Sequence, residues 1–177
     1  MPAPQPIWWD PFAETPGPTS TWNCGTVDAD SWSTEKEFWI FNNKGGSVDV
    51  SDMTNVFITT KDSLGLDGPP VADMSKAIVW VKVFDGGSSA WGTQKMIGGS
   101  TNIADILNCA GWIDTVHGDT KANRLWGGKN PTDPTDSLYD DANTKKKMAK
   151  VRLQLQVLAG ADAGPMTWKT RVSYQYT

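Results

Sequence analysis

Apolar and polar residues alternate over two stretches near the end of the chain. Residues 151–157 place Val or Leu at every second position, and residues 166–176 repeat the alternation with aromatic residues. A period of two is typical of β-strands that bury one face and expose the other. Residues 159–165 between them are rich in Gly and Ala and end on Pro, as loops are. We predict an antiparallel strand pair that packs against an opposing sheet supplied by the rest of the chain.

Five earlier runs also have the character of strands: residues 21–27, 36–42, 48–50, 55–61 and 77–84. The second run is apolar on both faces, which favours a central strand, and the last is the most β-prone of all. Turn residues follow most of these runs. With the final pair they give about seven strands. We therefore predict an all-β fold, an immunoglobulin-like or jelly-roll-type antiparallel β-sandwich with an extended N-terminal arm and a long irregular insertion.

The insertion, residues 85–147, is rich in Gly, Asn, Asp and Thr and has weak periodicity. Irregular segments of this length are often functional. We predict an elaborated loop region with a few short strands, and one or two helical turns at residues 102–109. Trp91, Trp112 and Trp126 each lie close to glycine in this region. They form either a small satellite core or a contact surface.

Residues 1–20 contain six prolines, which exclude a helix and a central strand and predict an extended arm. Ile7, Trp8, Trp9 and Phe12 are bulky apolar groups that disordered tails lack. We interpret these four residues as assembly contacts, which dock either on the chain's own domain or on a neighbouring subunit. Residues 21–177 are then a single sandwich domain. The N-terminus has neither the basic start nor the apolar core of a signal peptide.

Charge and composition narrow the classes of partner. A net charge of -4 and a sequence pI of about 4.9 argue against nucleic-acid binding, which favours a basic stripe. No apolar run approaches the roughly 20 residues of a membrane helix, so we expect no membrane contact. The chain has 10 tryptophans, a residue enriched both at protein interfaces and on sugar-stacking platforms.

The sequence offers no convincing catalytic group. His117 is the single histidine, and its pairing with the Cys109 thiol is conceivable but has no supporting motif. We interpret Cys24 and Cys109 as free, mostly buried thiols. Glu35 and Glu37 are expected on one face of a strand, as a surface pair and not as an acid–base couple. We therefore predict no catalytic residues.

Metal and cofactor motifs are likewise missing from the sequence. There is no C-x-x-C, no H-E-x-x-H and no Gly-rich phosphate loop between a strand and a helix. Several loop aspartates carry the carboxylate oxygens that calcium prefers, namely Asp28, Asp30, Asp133, Asp136, Asp140 and Asp141. None of these clusters fits the EF-hand pattern, so we interpret them as turn formers and predict no metal and no cofactor.

Residues 22–62 and 148–176, about two fifths of the chain, resemble small virion proteins of tailed bacteriophages. The similar features are the G-T-V-D-A-D turn, the F-x-I-x-N-N-K-G-G strand end, the D-V-S-D-M-T-N run and a late A-D-A-G followed by R-V-S-Y-Q-Y. The resemblance implies an immunoglobulin-like or related β-sandwich that serves as an assembly part without catalytic residues. Residues 85–147 have no counterpart in it.

Three functional hypotheses follow. The first is a bacteriophage virion structural protein of the tail, baseplate, neck or capsid surface. It would assemble in the host cytoplasm, form a homo-oligomer in the particle and bind other virion proteins by exchange of the N-terminal arm and through Trp-anchored contacts. The second is a carbohydrate-binding module, with a glycan stacked on the surface aromatics Trp91, Trp112 and Trp126. The third is a cell-wall hydrolase, which only loop carboxylates favour.

Overall fold

The computed structural model describes residues 1–85, 90–107, 124–128, 139–140, 145–146 and 148–176, and every regular element within these ranges is a β-strand. In chain order the strands are β1 (Pro6–Asp10), β2 (Gly17–Pro18), β3 (Ser31–Trp32), β4 (Lys36–Asn42), β5 (Met53–Asp62), β6 (Ala77–Asp85), β7 (Ala90–Trp91), β8 (Lys95–Ile97), β9 (Ala104–Asp105), β10 (Arg124–Leu125), β11 (Tyr139–Asp140), β12 (Lys145–Lys146), β13 (Met148–Val157) and β14 (Trp168–Tyr176). Within the same ranges, no helix is long and apolar enough to cross a membrane.

The strands form two sheets. The larger has the order β2-β1-β4-β13-β6-β7, with β3 also paired to β13 and β8 to β6. The smaller has the order β11-β12-β10-β5-β14, with β9 also on β5. Pairing between the described strands is antiparallel except where β10 meets β12 at Leu125 and Lys146. The predicted all-β, antiparallel character is confirmed.

One apolar core joins the two sheets, an arrangement consistent with a β-sandwich. The larger sheet contributes alternate residues of β4, β6 and β13, and the smaller contributes Met53, Val56 and Ile58 of β5. Met53 and Val56 are three positions apart and both are buried, although strict alternation would turn them to opposite faces. Asn55 between them has a φ of 48°, a left-handed conformation that asparagine tolerates better than most residues. This local irregularity returns the side chain of Val56 to the core.

The predicted central strand 36–42 is confirmed as β4, which lies between β1 and β13. Phe38 and Ile40 point into the core between the sheets, while Trp39 and Phe41 are buried on the opposite face. The runs 55–61 and 77–84 are confirmed within β5 and β6. Burial on both faces explains why β4 is a continuous apolar run and not an alternating one.

The predicted terminal strand pair is wrong in one respect. Residues 151–157 and 168–176 are strands, but β13 pairs with β4 and β6 in the larger sheet, whereas β14 pairs with β5 in the smaller one. The connecting residues therefore cross from one sheet to the other. A period of two identifies the buried face of a strand, and both sheets bury their faces in the same core. The pattern consequently does not determine which strands are neighbours.

Three other predicted elements are wrong. Residues 21–27 form no strand; they lie along the side of the sandwich, where Trp22, Cys24 and Val27 pack against the core. Residues 48–50 also form no strand. The helical turns predicted at 102–109 are absent from the described part, residues 102–107, because β9 pairs there with β5. In each case, pairing or packing with distant residues overrides local propensity.

The N-terminal segment is extended, as predicted, and docks on its own chain. β1 pairs with β4 and thereby places Trp9 opposite Trp39. The ring of Trp8 packs edge-on against Phe38, with 5.7 Å between the ring centroids. Phe12, beyond the end of β1, remains 69% exposed. The sequence left open whether the segment docks on its own domain or on a neighbouring subunit. In the structure it docks on the larger sheet of its own chain.

This docking predicts unequal effects of two substitutions in the segment. Trp8→Ala removes a ring that packs on the core and should lower the free energy of unfolding by about 2–4 kcal/mol. Phe12→Ala removes an exposed ring and should change it by less than about 0.5 kcal/mol. Urea denaturation of both variants measures the difference. Equal, small effects would contradict docking of this segment on its own chain.

Candidate functional site

The outer face of the larger sheet, which points away from the core, concentrates aromatic side chains. The register of β1, β3, β4, β6, β7 and β13 places half of the chain's 10 tryptophans on this face. They are Trp9, Trp32, Trp39, Trp80 and Trp91. A soluble β-sandwich ordinarily presents polar residues here, so the aromatic density is unusual.

At one end of the outer face the aromatic rings are buried beneath lysine side chains. Trp39, Phe41 and Met148 form a small cluster against which Trp9 packs. The Lys150 ammonium lies 4.8 Å from the centre of the Trp39 ring, in cation–π geometry. Burial lowers the pKa of Lys150, and the nearby Glu37 carboxylate opposes that shift. This end is therefore already closed by residues of the chain itself.

In the middle of the outer face, charges are paired with one another. Lys82 forms an ion pair with Glu35, and the Arg152 Nε lies 3.1 Å from a Glu37 oxygen. Glu37 also accepts a hydrogen bond of 2.8 Å from the Trp39 indole nitrogen. Each of the two carboxylates thus has a cationic partner. Glu35 and Glu37 lie on the same face, as predicted, and their contacts are those of structural ion pairs.

At the other end lies a more open patch, the Trp32–Trp80 patch. The two ring centroids are 5.7 Å apart and the rings are tilted by 40°. The Trp80 indole nitrogen donates to the Gln156 side-chain oxygen at 3.0 Å, which fixes that ring. Trp32 is 45% exposed and Met96, opposite Trp80 on β8, is 43% exposed. The patch presents apolar surface beside glutamine amides.

A second candidate region is the side of the sandwich along β14. Trp22 packs edge-on against both Trp168 and Phe38, at centroid distances of 5.7 and 6.2 Å. It separates two clefts of about 630 and 640 Å³. The first runs between residues 18–22 and 166–170, and the second between residues 22–29 and 161–166. Among the described residues, the segment around Trp22 covers this side of the core between the two clefts.

The predicted assembly contacts lie at different depths. In β1, Ile7, Trp8 and Trp9 are half-buried against their own chain, whereas the neighbouring Phe12 is exposed. Trp8 packs on the core and Trp9 on the cluster of Trp39, Phe41 and Met148, which accounts for the apolar character of these two residues without a partner protein.

The predicted surface aromatics are not brought together by the described residues. Trp91 lies on the outer face, packed against Phe84 and with the Arg152 guanidinium 4.0 Å from its ring centre. Trp126 is half-buried after β10, with its ring against Gly128. Trp112 lies outside the described residues. Sequence reasoning missed Trp80, although alternation with Val79 and Val81 would have placed it on the outer face.

The described residues contain no group of three or more His, Cys, Asp or Glu side chains that could hold a metal ion. Asp28 and Asp30 flank a turn, with Asp30 in a left-handed conformation. The side chains of Cys109 and His117 lie outside the described part of the chain. The same holds for the side chains of the remaining candidate ligands, Asp133, Asp136, Asp140 and Asp141.

No protein-family model matches this chain, and no curated protein and no solved structure is significantly similar to it.

Cys24 is a free thiol packed against the core beside the second cleft. Burial raises its pKa from 9.0 to about 11, and a hydrogen bond with Ser33 only partly offsets this effect. A thiol that resists ionisation is a poor nucleophile. The pKa of Cys24 is higher in the folded protein than in the unfolded chain. The contribution of the protonated thiol to the free energy of unfolding is therefore full below about pH 9 and is lost as the pH rises through 11.

Alkylation tests this environment. In a Cys109→Ser background, iodoacetamide should modify Cys24 in the folded protein about 100-fold more slowly at pH 8 than in the urea-unfolded chain. The rate in the folded protein should continue to rise with pH until it levels off near the raised pKa of about 11. Equal rates in the folded and unfolded chains would contradict the buried, protonated thiol.

Proposed function

We propose that the protein is a structural component of a tailed-bacteriophage virion that acts through protein–protein contacts. The outer face of the larger sheet is its main assembly surface. The concentration of tryptophans on that face supports the proposal, because Trp is enriched at protein interfaces and is among the residues that contribute most to their binding energy. The resemblance of residues 22–62 and 148–176 to small virion proteins supports the same class.

The charges of this face also suit an interface. Burial of an unpaired charge costs several kcal/mol, whereas a charge that already has a partner loses less when water is removed. Lys82 with Glu35, and Arg152 with Glu37, are paired within the chain. A partner that covers the middle of the outer face therefore meets charges that are already paired.

The finer features belong to the same proposal. The sandwich is of the immunoglobulin-like or jelly-roll type, the chain forms a homo-oligomer in the particle, and its localisation is the virion, assembled in the host cytoplasm. The proposal assigns it no reaction, cofactor, metal, nucleic acid or membrane. Docking of β1 on its own sheet favours assembly of prefolded subunits through exposed faces over exchange of the N-terminal arm.

A specific observation favours carbohydrate binding as the second candidate. Sugars stack their apolar faces on aromatic rings while amide side chains bind their hydroxyls. The Trp32–Trp80 patch combines an exposed indole with Gln154 and Gln156, which lie on the same face of β13. Trp91 fits less well, because the Arg152 guanidinium lies over its ring.

The virion proposal is tested by detection of the chain in purified particles of the phage that encodes it. With the gene supplied in trans, Trp32→Ser should reduce incorporation about tenfold or more, because it removes an exposed interface anchor. Leu64→Ser is the matched control, since Leu64 is 79% exposed in the turn after β5. Abundant protein in lysates but none in particles would contradict the virion role. Equal incorporation of both variants would contradict the outer-face contact.

The carbohydrate alternative has its own test. The wild-type chain is screened on a broad glycan array, and each hit is repeated with Trp32→Ala and Trp91→Ala. Loss of binding with the first variant and retention with the second would support sugar stacking on the Trp32–Trp80 patch, since removal of one stacking ring weakens such sites about tenfold or more. Silence across the array would contradict this candidate.

A further inference from the structure

The edge of β14 has backbone groups without a strand partner among the described residues, where β14 pairs only with β5. The direction of these groups follows from the opposite side of β5. There, the N–H of Ile106 donates to the Val56 carbonyl and the N–H of Gly99 donates to the Thr60 carbonyl. In an antiparallel strand, the backbone groups of alternate residues point to opposite neighbours. The backbone N–H and C=O groups of the even-numbered residues in this stretch of β5, Val56 to Thr60, therefore point away from β14.

It follows that the odd-numbered residues of β5 make the hydrogen bonds to β14. Their register partners are Lys169, Arg171 and Ser173. The intervening residues of β14, Thr170 and Val172, therefore direct their N–H and C=O groups to the open edge. Such an edge is a template for a further strand.

The core is incompletely covered along the same edge. Trp168, Val172 and Tyr174 of β14 point towards the core but are only half-buried. The cleft of about 630 Å³ runs beside residues 166–170, with Trp22 and Leu153 in its lining. Apolar side chains of an added strand would enter this cleft and complete the burial of β14.

The face of β14 that points away from the core carries positive charge, which favours an acidic partner. Lys169 and Arg171 are exposed on its outer face, with no ion-pair partner among the described residues. Residues directly opposite one another in adjacent strands share a face, where opposite charges stabilise the pair and like charges destabilise it. A second copy of β14, paired symmetrically about Thr170 or Arg171, would place like charges directly opposite one another. An acidic strand would pair with them.

We propose that the edge of β14 accepts an extended segment of another virion protein in which apolar residues alternate with acidic ones. The apolar residues face the cleft and the acidic residues face Lys169 and Arg171. This inference rests on the proposed assembly role only for the source of the strand; the acceptor edge itself follows from the geometry of β14.

The test uses a short labelled peptide in which Val and Glu alternate, with an alternating Val and Lys peptide as its control. Backbone amide hydrogen exchange is followed by NMR on the full chain. With saturating Val–Glu peptide, exchange at Thr170 and Val172 should slow about tenfold, because these amides gain hydrogen-bond acceptors. No slowing, or equal slowing with both peptides, would overturn the proposal.

Two sets of variants assign the contact. Thr170→Pro removes an N–H that points to the open edge, where proline is tolerated, and should weaken peptide binding about tenfold. Thr170→Ala retains the N–H and should bind like the wild type. The double variant Lys169→Glu, Arg171→Glu should prefer the Val–Lys peptide, a reversal that does not depend on the folding of the proline variant. Unchanged preference would overturn the charge assignment.

Other outcomes separate this inference from the virion role. If the chain alone dimerises and Thr170→Pro abolishes the dimer, the occupant is a second copy and the acidic partner is wrong. If the Val–Glu peptide does not bind but the chain is present in particles, only the proposal that β14 accepts a strand is overturned. Peptide binding by a chain absent from particles overturns only the virion role.

Discussion

The pairing of β13 with β4 on one side and β6 on the other is the constraint on which both faces of the larger sheet depend. The alternation in β13 directs Val151, Leu153, Leu155 and Val157 into the core and its intervening residues to the outer face. Because side chains directly opposite one another share a face, the register of β13 also aligns Trp39 and Trp80 on the outside. A shift of one residue would exchange the two sets and expose the core.

The sequence predicted the strands whose residues meet both requirements, a strong propensity and an unambiguous buried face. β4, β5, β6, β13 and β14 belong to this group, because a continuous apolar run or a period of two is visible without knowledge of their neighbours. The assignment of β13 and β14 to different sheets was missed, since the two share one core and the same pattern. The segment around Trp22 has the apolar residues of a strand because they pack on the core, although its backbone forms no strand.

The candidate site was less accessible from sequence. Tryptophan content indicated contact surfaces, but the face on which each ring lies depends on sheet register. Trp32 shows the difficulty, because it reaches the outer face only where β3 continues along β13 beyond the end of β4. The next residue, Ser33, holds this pairing through hydrogen bonds with the backbone of Leu155 and the side chain of Gln154. No local pattern signals that arrangement. The charge pairs likewise join residues far apart in the chain, such as Arg152 and Glu37.

The left-handed Asn55 has a consequence beyond the core. It lies where the ladder between β5 and β14 changes register, between Ser173 and Gln175, and its side-chain nitrogen is 2.6 Å from the Gln175 side-chain oxygen. Regular pairing of β14 therefore extends only from Trp168 to Ser173, a length of about 20 Å at the usual rise of a strand. The conformation of one asparagine thus limits the length of the open edge. A strand that extends this sheet can pair regularly with about six residues of β14 before the irregularity changes the direction of the backbone.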